Sequence, residues 1–266
     1  MTTAPRAARR PGLTAVLLAT VASGLYLTLG TLLFGAVSLP LAWIPPRGRL
    51  FFWFCRRWGR GWLAAAGVRV GCEIEEPLEA SGRYVFMANH SSYFDIPAMM
   101  ATLPVETRFM AKRSIFRVPV VGHAMRAGGF IGVDRKDKSR ARDALTAAVR
   151  ELRSCASVLI FPEGTRSPSG RVGEFQRGGF LIALRSGRPI VPVGIQGSFD
   201  VQPRKTWTVR PGRILVRYGR PVDVTAYGVR GLEELAQRVR QRVAELSGDP
   251  SAGARAGDSD KVGRHG

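Results

Sequence analysis

The sequence predicts an α/β fold: a mixed, largely internal sheet flanked by helices, with a membrane-embedded helical anchor at the N-terminus. From residue 68 onward, short apolar runs alternate with helix-like or turn-rich segments, which is the pattern of an α/β domain. Before them, residues 11–46 contain no charged side chain. The chain has 266 residues, which is enough for one domain with a substantial core and additional segments.

The uncharged stretch is the first predicted element. A helix that spans a bilayer needs about 20 residues, so residues 11–46 are too many for one untilted span and too few for two spans with a turn. The apolar region of a secretory signal peptide is shorter still. Arginines flank both ends, among them Arg10 and Arg47, and such flanks favour the cytoplasmic side. We expect a re-entrant helical pair with Gly30 or Gly35 near its bend; one tilted span is the alternative.

Residues 50–68, LFFWFCRRWGRGWLAAAGV, interleave Phe and Trp with arginine. Rings at the acyl boundary and guanidinium groups on lipid phosphates are typical of a helix at the headgroup level. Packing of this helix on the soluble domain is the alternative. The predicted organisation is a basic tail at residues 1–10, an anchoring helical segment at 11–66, an α/β domain at 67–246 and a disordered, apolar-poor tail at 247–266.

Within the α/β domain, apolar runs and turn residues predict the order of strands and helices. The helix at 138–154 has the clearest pattern, because Ala141, Leu145, Ala148 and Leu152 recur along one helical face. A helix at 95–103 accommodates Pro97 only because that residue lies in its first turn. Strands are predicted at 84–90, 107–112, the end of 128–135, 158–160, 189–198 and 213–224, and further helices at 178–187 and 232–246.

The charge balance predicts an anionic partner. Forty basic residues against twenty acidic ones give a net charge of +20, and arginine grips phosphate through two hydrogen bonds. A nucleic-acid site would place aromatic residues among basic ones on the soluble domain, whereas here they concentrate beside the uncharged stretch. Membrane lipids are therefore the predicted partner, and nucleic acid is not. The three cysteines show neither metal-ligand spacing nor a disulfide framework, which favours a cytosol-facing location without a metal site.

Four unusual clusters lie at the ends of predicted strands, where ligands collect in open α/β sheets. They are Asn89-His90, Asp134-Arg135, FPEGTRS at 161–167 and VPVGIQG at 191–197.

The first cluster contains a candidate acid–base pair. Asp95 follows His90 by five residues, which is not the spacing of two side chains on one helical face. Histidine takes up a proton near neutrality, and a carboxylate bonded to one ring nitrogen leaves the other nitrogen free. We therefore predict that a turn brings Asp95 back to His90 as a catalytic dyad. Ser91 and Ser92 are expected to be turn and cap residues, because neither lies in a nucleophile-elbow sequence; the nucleophile is then a substrate hydroxyl.

The FPEGTRS segment is a candidate phosphate cradle. A glycine turn exposes backbone N–H groups, and the neighbouring hydroxyl and guanidinium add further donors. Glu163 is expected to orient Arg166 or to bond a substrate hydroxyl. Structural ion pairing is the alternative for the more distant cations. The candidate phosphate-binding residues are Glu163, Gly164, Thr165, Arg166, Arg135 and Lys112.

Taken together, these segments resemble the glycerolipid acyltransferase family, most closely its 1-acylglycerol-3-phosphate acyltransferase branch. The resemblance rests on four blocks in the family's order: the H-x4-D block NHSSYFD, then AGGFIGVDR, FPEGTRS and PIVPVGI. It covers about residues 65–220. H-x4-D alone is a weak signal, but its combination with a complete FPEGTRS is strong.

This resemblance implies transfer of a fatty acyl group to the sn-2 hydroxyl of lysophosphatidic acid, giving phosphatidic acid for phospholipid biosynthesis. By matching position, His90 is the general base, Asp95 its partner, and Pro192 part of the acyl pocket or active-site wall. No cofactor or metal is implied; acyl-CoA or acyl carrier protein is the co-substrate. The enzyme would sit on the cell membrane with its active site facing the cytoplasm. Another lyso-lipid or glycerol 3-phosphate as acceptor, or a non-catalytic lipid-binding role, are the alternatives.

Overall fold

The computed structural model describes residues 11–41, 49–134, 138–154, 156–228 and 230–252. The helices are α1 Leu13–Leu25, α2 Thr31–Leu41, α3 Arg49–Ala65, α4 Asp95–Thr102, α5 Val121–Ala127, α6 Lys138–Ser154, α7 Arg177–Ser186, α8 Ser198–Val201 and α9 Leu232–Ser247. The strands are β1 Val68–Ile74, β2 Val85–Ala88, β3 Thr107–Lys112, β4 Ile131–Val133, β5 Ser157–Ile160, β6 Ile190–Gln196 and β7 Gly212–Tyr218. A π-helical turn, Tyr26–Gly30, joins α1 to α2, and a 3-10 turn, Arg113–Arg117, follows β3.

The strands form one seven-stranded mixed sheet, which confirms the predicted fold class. Its order is β1-β7-β6-β2-β5-β3-β4, and only the β6–β7 pair is antiparallel. The central strand β2 pairs through Val85 with Val158 of β5 on one side and Ile190 of β6 on the other. Because β2, β3, β4, β5 and β6 run in the same direction, their carboxyl ends meet at one edge of the sheet.

Each face of the sheet is covered by helices, and the alternation of side chains along β2 supplies both cores. Phe86 and Ala88 point into a core shared with α3 and α4, while Val85 and Met87 point into a second core with α6, α7 and α9. All four of these side chains are fully buried. Burial of a large apolar side chain such as Phe86 or Met87 contributes about 1.5–3 kcal/mol to the free energy of unfolding. A strand with buried side chains on both faces therefore stabilises the sheet strongly.

The helix predicted at 138–154 is present as α6, and its inner face is close to the predicted one. Ala148 and Leu152 are fully buried, and Ala144 lies beside them. Leu145 is only half-buried, so the buried stripe is rotated slightly from the predicted face. At the other end of the chain, α9 ends at Gly248, whose left-handed backbone (φ 71°) closes the helix.

The N-terminal segment departs from the expected bend. α1, the π turn and α2 form one continuous helix from Leu13 to Leu41, so the expectation of a bend at Gly30 or Gly35 is wrong. Gly35 instead allows the helix to pack closely against Val120, because a Cβ at this position would lie 1.8 Å from the Val120 side chain. Arg10 and Arg47, on which the flanking-charge argument also rested, lie outside the described residues.

A helical pair does exist, but its second member is α3. The indole of Trp62 donates to Ser23 Oγ at 2.8 Å, and the Tyr26 hydroxyl donates to the Trp58 carbonyl at 3.1 Å. Further along, the rings of Phe34 and Phe51 meet edge to face at 5.8 Å. The contacts therefore run antiparallel, because residues late in α1–α2 meet residues early in α3.

α3 also packs on the α/β domain, which was the alternative expectation for this aromatic segment. Phe51, Cys55, Trp62 and Leu63 are buried in the same core as α4 and the sheet. The apolar face of α1–α2 that points away from the domain is exposed. The helix Leu13–Val37 is long and apolar enough to cross a membrane. Its exposed residues include Leu13, Leu17, Leu18, Val21, Leu25, Leu29, Leu32, Leu33 and Val37.

The C-terminal boundary lies further along the chain than predicted. Ser247 is the buried last residue of α9, and a 3-10 turn follows at Pro250–Ala252. Asp249 is also buried, and its carboxylate accepts the backbone N–H of Val172 at 2.6 Å. A disordered tail beginning at 247 is therefore wrong for residues 247–252. The rest of that tail, and the basic tail at 1–10, lie outside the described residues.

Candidate active site

His90 and Asp95 lie side by side at the carboxyl end of β2. His90 Nδ1 is 2.7 Å from Asp95 Oδ2, and the two residues are separated by a loop that curls back before α4 begins at Asp95. The Asp95 side chain is fully buried, whereas 16% of the His90 side chain is exposed. Because Nδ1 is occupied by the carboxylate, the imidazole keeps Nε2 for a ligand.

The five-residue spacing is explained by what else the carboxylate binds. Asp95 Oδ2 accepts the backbone N–H groups of Ser91 at 2.8 Å and Ser92 at 2.9 Å, in addition to the imidazole. These two amides face the first residue of a helix, where negative charge is favoured by the helix dipole. The loop is thus folded around the carboxylate, and the imidazole is fixed as part of the same arrangement.

The side chains on either side of His90 tie this loop to β6 and to the segment after it. The amide of Asn89 donates to the Ile195 carbonyl at 2.9 Å and accepts the Ile195 N–H at 2.7 Å. Both serines are buried, with Ser91 Oγ 3.0 Å from Ser198 Oγ and Ser92 Oγ donating to the Gln202 carbonyl at 2.9 Å. Their hydroxyls are therefore engaged in holding the loop.

The FPEGTRS turn lies against the dyad from the neighbouring strand β5. The Phe161 ring stacks on the imidazole of His90, with centroids 4.2 Å apart and planes 22° apart. The Ser167 N–H donates to the His90 carbonyl at 2.7 Å. Gly164 supplies the left-handed backbone of the turn (φ 79°), which other residues rarely adopt. Two motifs distant in sequence therefore form one unit.

Glu163 has a different role from the expected one. Its Oε1 accepts the backbone N–H of His90 at 2.7 Å, and its Oε2 accepts that of Gly173 at 3.0 Å. Both carboxylate oxygens thus hold backbone, so the expectation that Glu163 orients Arg166 is wrong. Burial raises the pKa of Glu163 above its ordinary value of 4.5, although the two backbone N–H groups oppose this shift.

The phosphate-binding candidates divide into those that the structure brings together and one that it does not describe. Gly164, Thr165, Arg166 and Lys112 line the same cavity as His90. The guanidinium of Arg166 lies 3.6 Å above the centroid of the Tyr93 ring, a cation–π contact that fixes its direction. Arg135 lies outside the described residues.

The cavity has a volume of about 980 Å³ and joins a polar mouth to an apolar interior. Around the mouth are His90, the FPEGTRS turn and Lys112, with two cations that the sequence analysis did not single out, Arg113 and Arg117. The interior is walled by aromatic and aliphatic side chains, including Phe34, Phe51, Trp58, Trp62, Met100, Phe109, Phe130 and Ile160. A cavity of this shape can hold a long apolar chain whose reactive end lies at the imidazole.

Two features of the cavity wall were not foreseen. Pro192, the residue expected in the acyl pocket, is buried within β6 opposite Met87 and is not among the described residues that line the cavity. Its carbonyl instead accepts the Gly219 N–H at 2.8 Å. By contrast, Phe34 of α2 and Trp58 of α3 do line it. Only long-range packing places them there, so no local sequence signal could have identified them.

Comparison with known proteins agrees with this geometry. A protein-family model described as Acyltransferase matches residues 69–196, a range that contains His90, Asp95 and the FPEGTRS turn. The chain is 33% identical over 162 residues to the chloroplastic 1-acyl-sn-glycerol-3-phosphate acyltransferase BAT2 of Brassica napus, which covers 60% of this chain and 45% of that protein. It thus spans about half the length of this relative.

A bacterial relative and a solved structure extend the comparison. The 1-acyl-sn-glycerol-3-phosphate acyltransferase of Salmonella typhimurium is 29% identical over 185 residues, covering 68% of this chain and 75% of that protein. The crystal structure of the 1-acyl-sn-glycerophosphate (LPA) acyltransferase PlsC from Thermotoga maritima superposes with a TM-score of 0.77 at 26% identity. That alignment covers 90% of this chain and 97% of the other.

Proposed function

We propose that the chain is an acyltransferase of the family whose model matches residues 69–196, and that it transfers a fatty acyl group to the sn-2 hydroxyl of 1-acyl-glycerol 3-phosphate. The product is phosphatidic acid, and the acyl donor is the thioester of CoA or of acyl carrier protein. One observation carries this proposal: the imidazole of His90, held by Asp95, faces a cavity that Arg166 and Lys112 also line.

In the proposed reaction His90 acts as general base. Its free Nε2 removes the proton of the acceptor hydroxyl as that oxygen attacks the thioester carbonyl, and Asp95 stabilises the imidazolium that forms. The C–O bond forms, the C–S bond breaks, and the imidazolium returns its proton to the departing thiolate. The thioester is already activated and its thiol is a good leaving group, so direct transfer needs neither an acyl-enzyme nor a metal ion.

The acceptor's phosphate is assigned to the mouth of the cavity. Arg166 can offer two parallel N–H donors to a phosphate, and its stacking on Tyr93 limits the directions in which they point. Lys112, Arg113 and Arg117, which line the same cavity, add positive charge. Glu163 acts as a positioning residue, because it holds the backbone of His90 rather than facing the cavity.

The apolar interior of the cavity is assigned to an acyl chain. Its wall includes Phe34, Trp58 and Trp62 from α2 and α3, so the proposed anchor and the proposed acyl site share side chains. Because these rings belong to helices that meet the lipid, the chain can enter from the bilayer without crossing water.

Membrane attachment is proposed to occur in one leaflet. The domain contacts the long helix from Thr20, which accepts the Val209 N–H, to Gly35, which packs on Val120. These contacts are spread over about 22 Å of helix at 1.5 Å per residue. A helix covered by a polar domain along that length cannot cross the hydrocarbon core there, so it lies in the interface with its leucine-rich face in lipid. We place this leaflet on the cytoplasmic side of the cell membrane, as the arginines that flank residues 11–46 favour.

Acyl transfer by the purified full-length chain tests the proposal. The protein in vesicles is offered acyl-CoA or acyl carrier protein together with 1-acyl-glycerol 3-phosphate, other lyso-phospholipids or glycerol 3-phosphate. We expect phosphatidic acid as the main product. A preference for another acceptor would change the substrate assignment, and no turnover with any acceptor would favour a lipid-binding role.

A further inference from the structure

An exposed tryptophan lies on the catalytic domain close to the long apolar helix. Trp207 is 86% exposed, the highest value for a large apolar side chain in the part of the chain that the structure describes. It lies in a segment, residues 203–210, that we call the Trp207 loop. No reaction step assigned above uses this loop, and exposure of such a large ring to water alone is unfavourable.

The Trp207 loop is fixed against the apolar helix. Two residues after Trp207, the Val209 N–H donates to Thr20 Oγ1 at 2.9 Å, which joins the loop to α1. Within the loop, Lys205 adopts a left-handed backbone (φ 68°), which is uncommon for a residue other than glycine. The loop therefore holds Trp207 beside α1 by a defined backbone conformation.

The composition of the loop matches the headgroup region of a bilayer. Lys205 and Arg210 are exposed on either side of Trp207, and Arg204 is half-buried. Tryptophan between basic residues is the combination found at membrane interfaces, where the ring enters the acyl boundary and the cations meet lipid phosphates. The leucine-rich face of α1 is also exposed, so both the loop and the helix that it contacts present apolar side chains to the surroundings.

The loop is also connected to the candidate active site. Arg204 donates to the backbone carbonyl of Arg166 at 3.0 Å, and Ser92 Oγ donates to the carbonyl of Gln202 at 2.9 Å, directly before the loop. Any displacement of the Trp207 loop would therefore reach both Arg166 at the cavity mouth and Ser92, which lies between His90 and Asp95.

From these contacts we infer that the Trp207 loop is a second membrane contact, which inserts Trp207 at headgroup depth and sets the cavity mouth against the lipid surface. Its partner is the anionic headgroup layer of the bilayer. The consequence for acyl transfer rests on the function proposed above: the loop promotes uptake of an acceptor that is itself held in the bilayer.

Fluorescence quenching tests the contact independently of any reaction. The full-length chain is placed in vesicles of phosphatidylcholine and phosphatidylglycerol that contain phosphatidylcholine brominated at a shallow or a deep acyl position. The emission of Trp207 is obtained as the difference between the unaltered protein and Trp207→Phe. We expect this emission to be quenched, more strongly by shallow than by deep bromines. Trp207 emission that neither brominated lipid quenches would overturn the inference. So would Trp207 emission that changes on addition of acyl carrier protein but not on addition of vesicles.

A matched control uses another exposed apolar position. Ile74 is 42% exposed at the far end of β1, whose first residue pairs with Gly212 just after the loop. It lies about 20 Å from the loop at 3.3 Å per strand residue. The emission that Ile74→Trp adds to the Trp207→Phe protein, obtained as the difference between the two, should not be quenched by brominated lipid. Equal quenching at the two positions would contradict a specific contact.

The basic residues of the loop are tested by the same quenching measurement. Lys205→Ala with Arg210→Ala should lower the quenching of Trp207 in phosphatidylglycerol vesicles by weakening the attraction to anionic lipid.

The consequence for acyl transfer is tested by kinetics. Trp207→Ala should raise the KM for a long-chain acceptor in vesicles and leave the KM for a short-chain, monomeric acceptor unchanged. An equal rise for both acceptors would overturn the uptake role. Absence of transfer in the unaltered protein would refute the proposed function, while the quenching result still decides the contact.

Discussion

The backbone N–H of His90 donates to Glu163 Oε1 at 2.7 Å, a bond that joins two residues 73 positions apart. The His90 carbonyl is held as well, because it accepts the N–H of Ser167 at 2.7 Å. The FPEGTRS turn therefore grips the residue proposed as base from both sides of its peptide backbone. The dyad and the turn form one hydrogen-bonded unit, in which the position of the imidazole depends on the FPEGTRS turn.

Replacing Glu163 by Gln should change stability in a pH-dependent way. The pKa of Glu163 is raised by burial, so protonation of this carboxyl favours the folded state. The contribution of the protonated Glu163 carboxyl to the free energy of unfolding is complete below its ordinary pKa of 4.5. It is lost as the pH rises through the raised pKa of the folded state. The advantage of the unaltered protein over Glu163→Gln, measured as thermal unfolding midpoints in detergent, should grow on acidification from neutrality. An advantage that shrinks on acidification would show that the pKa is lowered instead.

Asp95→Asn should reduce turnover without removing the acceptor site. The amide can no longer favour the tautomer that carries its proton on Nδ1, so Nε2 is not reliably free to act as base. We expect kcat to fall by about 10²–10⁴-fold, the range of general-base catalysis, with little change in the acceptor KM. Steady-state kinetics in mixed micelles measure both constants. A kcat close to that of the unaltered protein would remove Asp95 from the dyad.

Asn89→Ala should lower stability, since it leaves two buried groups of Ile195 unpaired. Each unpaired buried group costs about 1–3 kcal/mol, so the unfolding midpoint should fall clearly. Gln241→Ala is the matched control, because it removes an amide whose bond within the described part of the chain is to Glu245 on the exposed surface of α9. Equal midpoints for the two variants would contradict the role assigned to Asn89.

Arg166→Ala should weaken binding of the phosphorylated acceptor. Hydrogen bonds to charged groups are worth about 1.5–3 kcal/mol, which corresponds to a rise of about 10- to 100-fold in the acceptor KM. The donor KM should stay unchanged. Arg177→Ala is the control, because that arginine is 76% exposed and its ion pair with Glu233, at 3.5 Å, is long. A rise in the donor KM alone would mean that Arg166 serves the acyl donor.

Local patterns predicted the dyad and the turn because their signals lie within a few residues. His90 and Asp95 are close in sequence, and the apolar strand before each motif places both at one edge of the sheet. The role of Glu163 could not be predicted in this way, because its partner is a backbone amide 73 residues earlier. A backbone group carries no sequence signature of its own.

The conformation of the N-terminal helices could not be predicted from local patterns either. Gly30 and Gly35 suggested a bend, yet the helix continues through them and Gly35 instead admits the side chain of Val120. Phe51 and Trp62 were expected at the lipid surface, whereas both are buried against the domain. Aromatic residues suit a headgroup layer and a protein core equally well, so composition alone could not separate these two locations. Removing residues 1–66 would thus open the core as well as remove the proposed anchor.

Replacement of His90 tests the central claim most directly. His90→Ala is compared with the unaltered protein for phosphatidic acid formation at saturating acyl donor and acceptor, with circular dichroism and membrane association as checks on folding. Because the imidazole is proposed to take the hydroxyl proton, we expect the rate to fall by at least about 10²-fold while both checks stay unchanged. Turnover comparable to that of the unaltered protein, in a variant that is folded and membrane-bound, would contradict the mechanism.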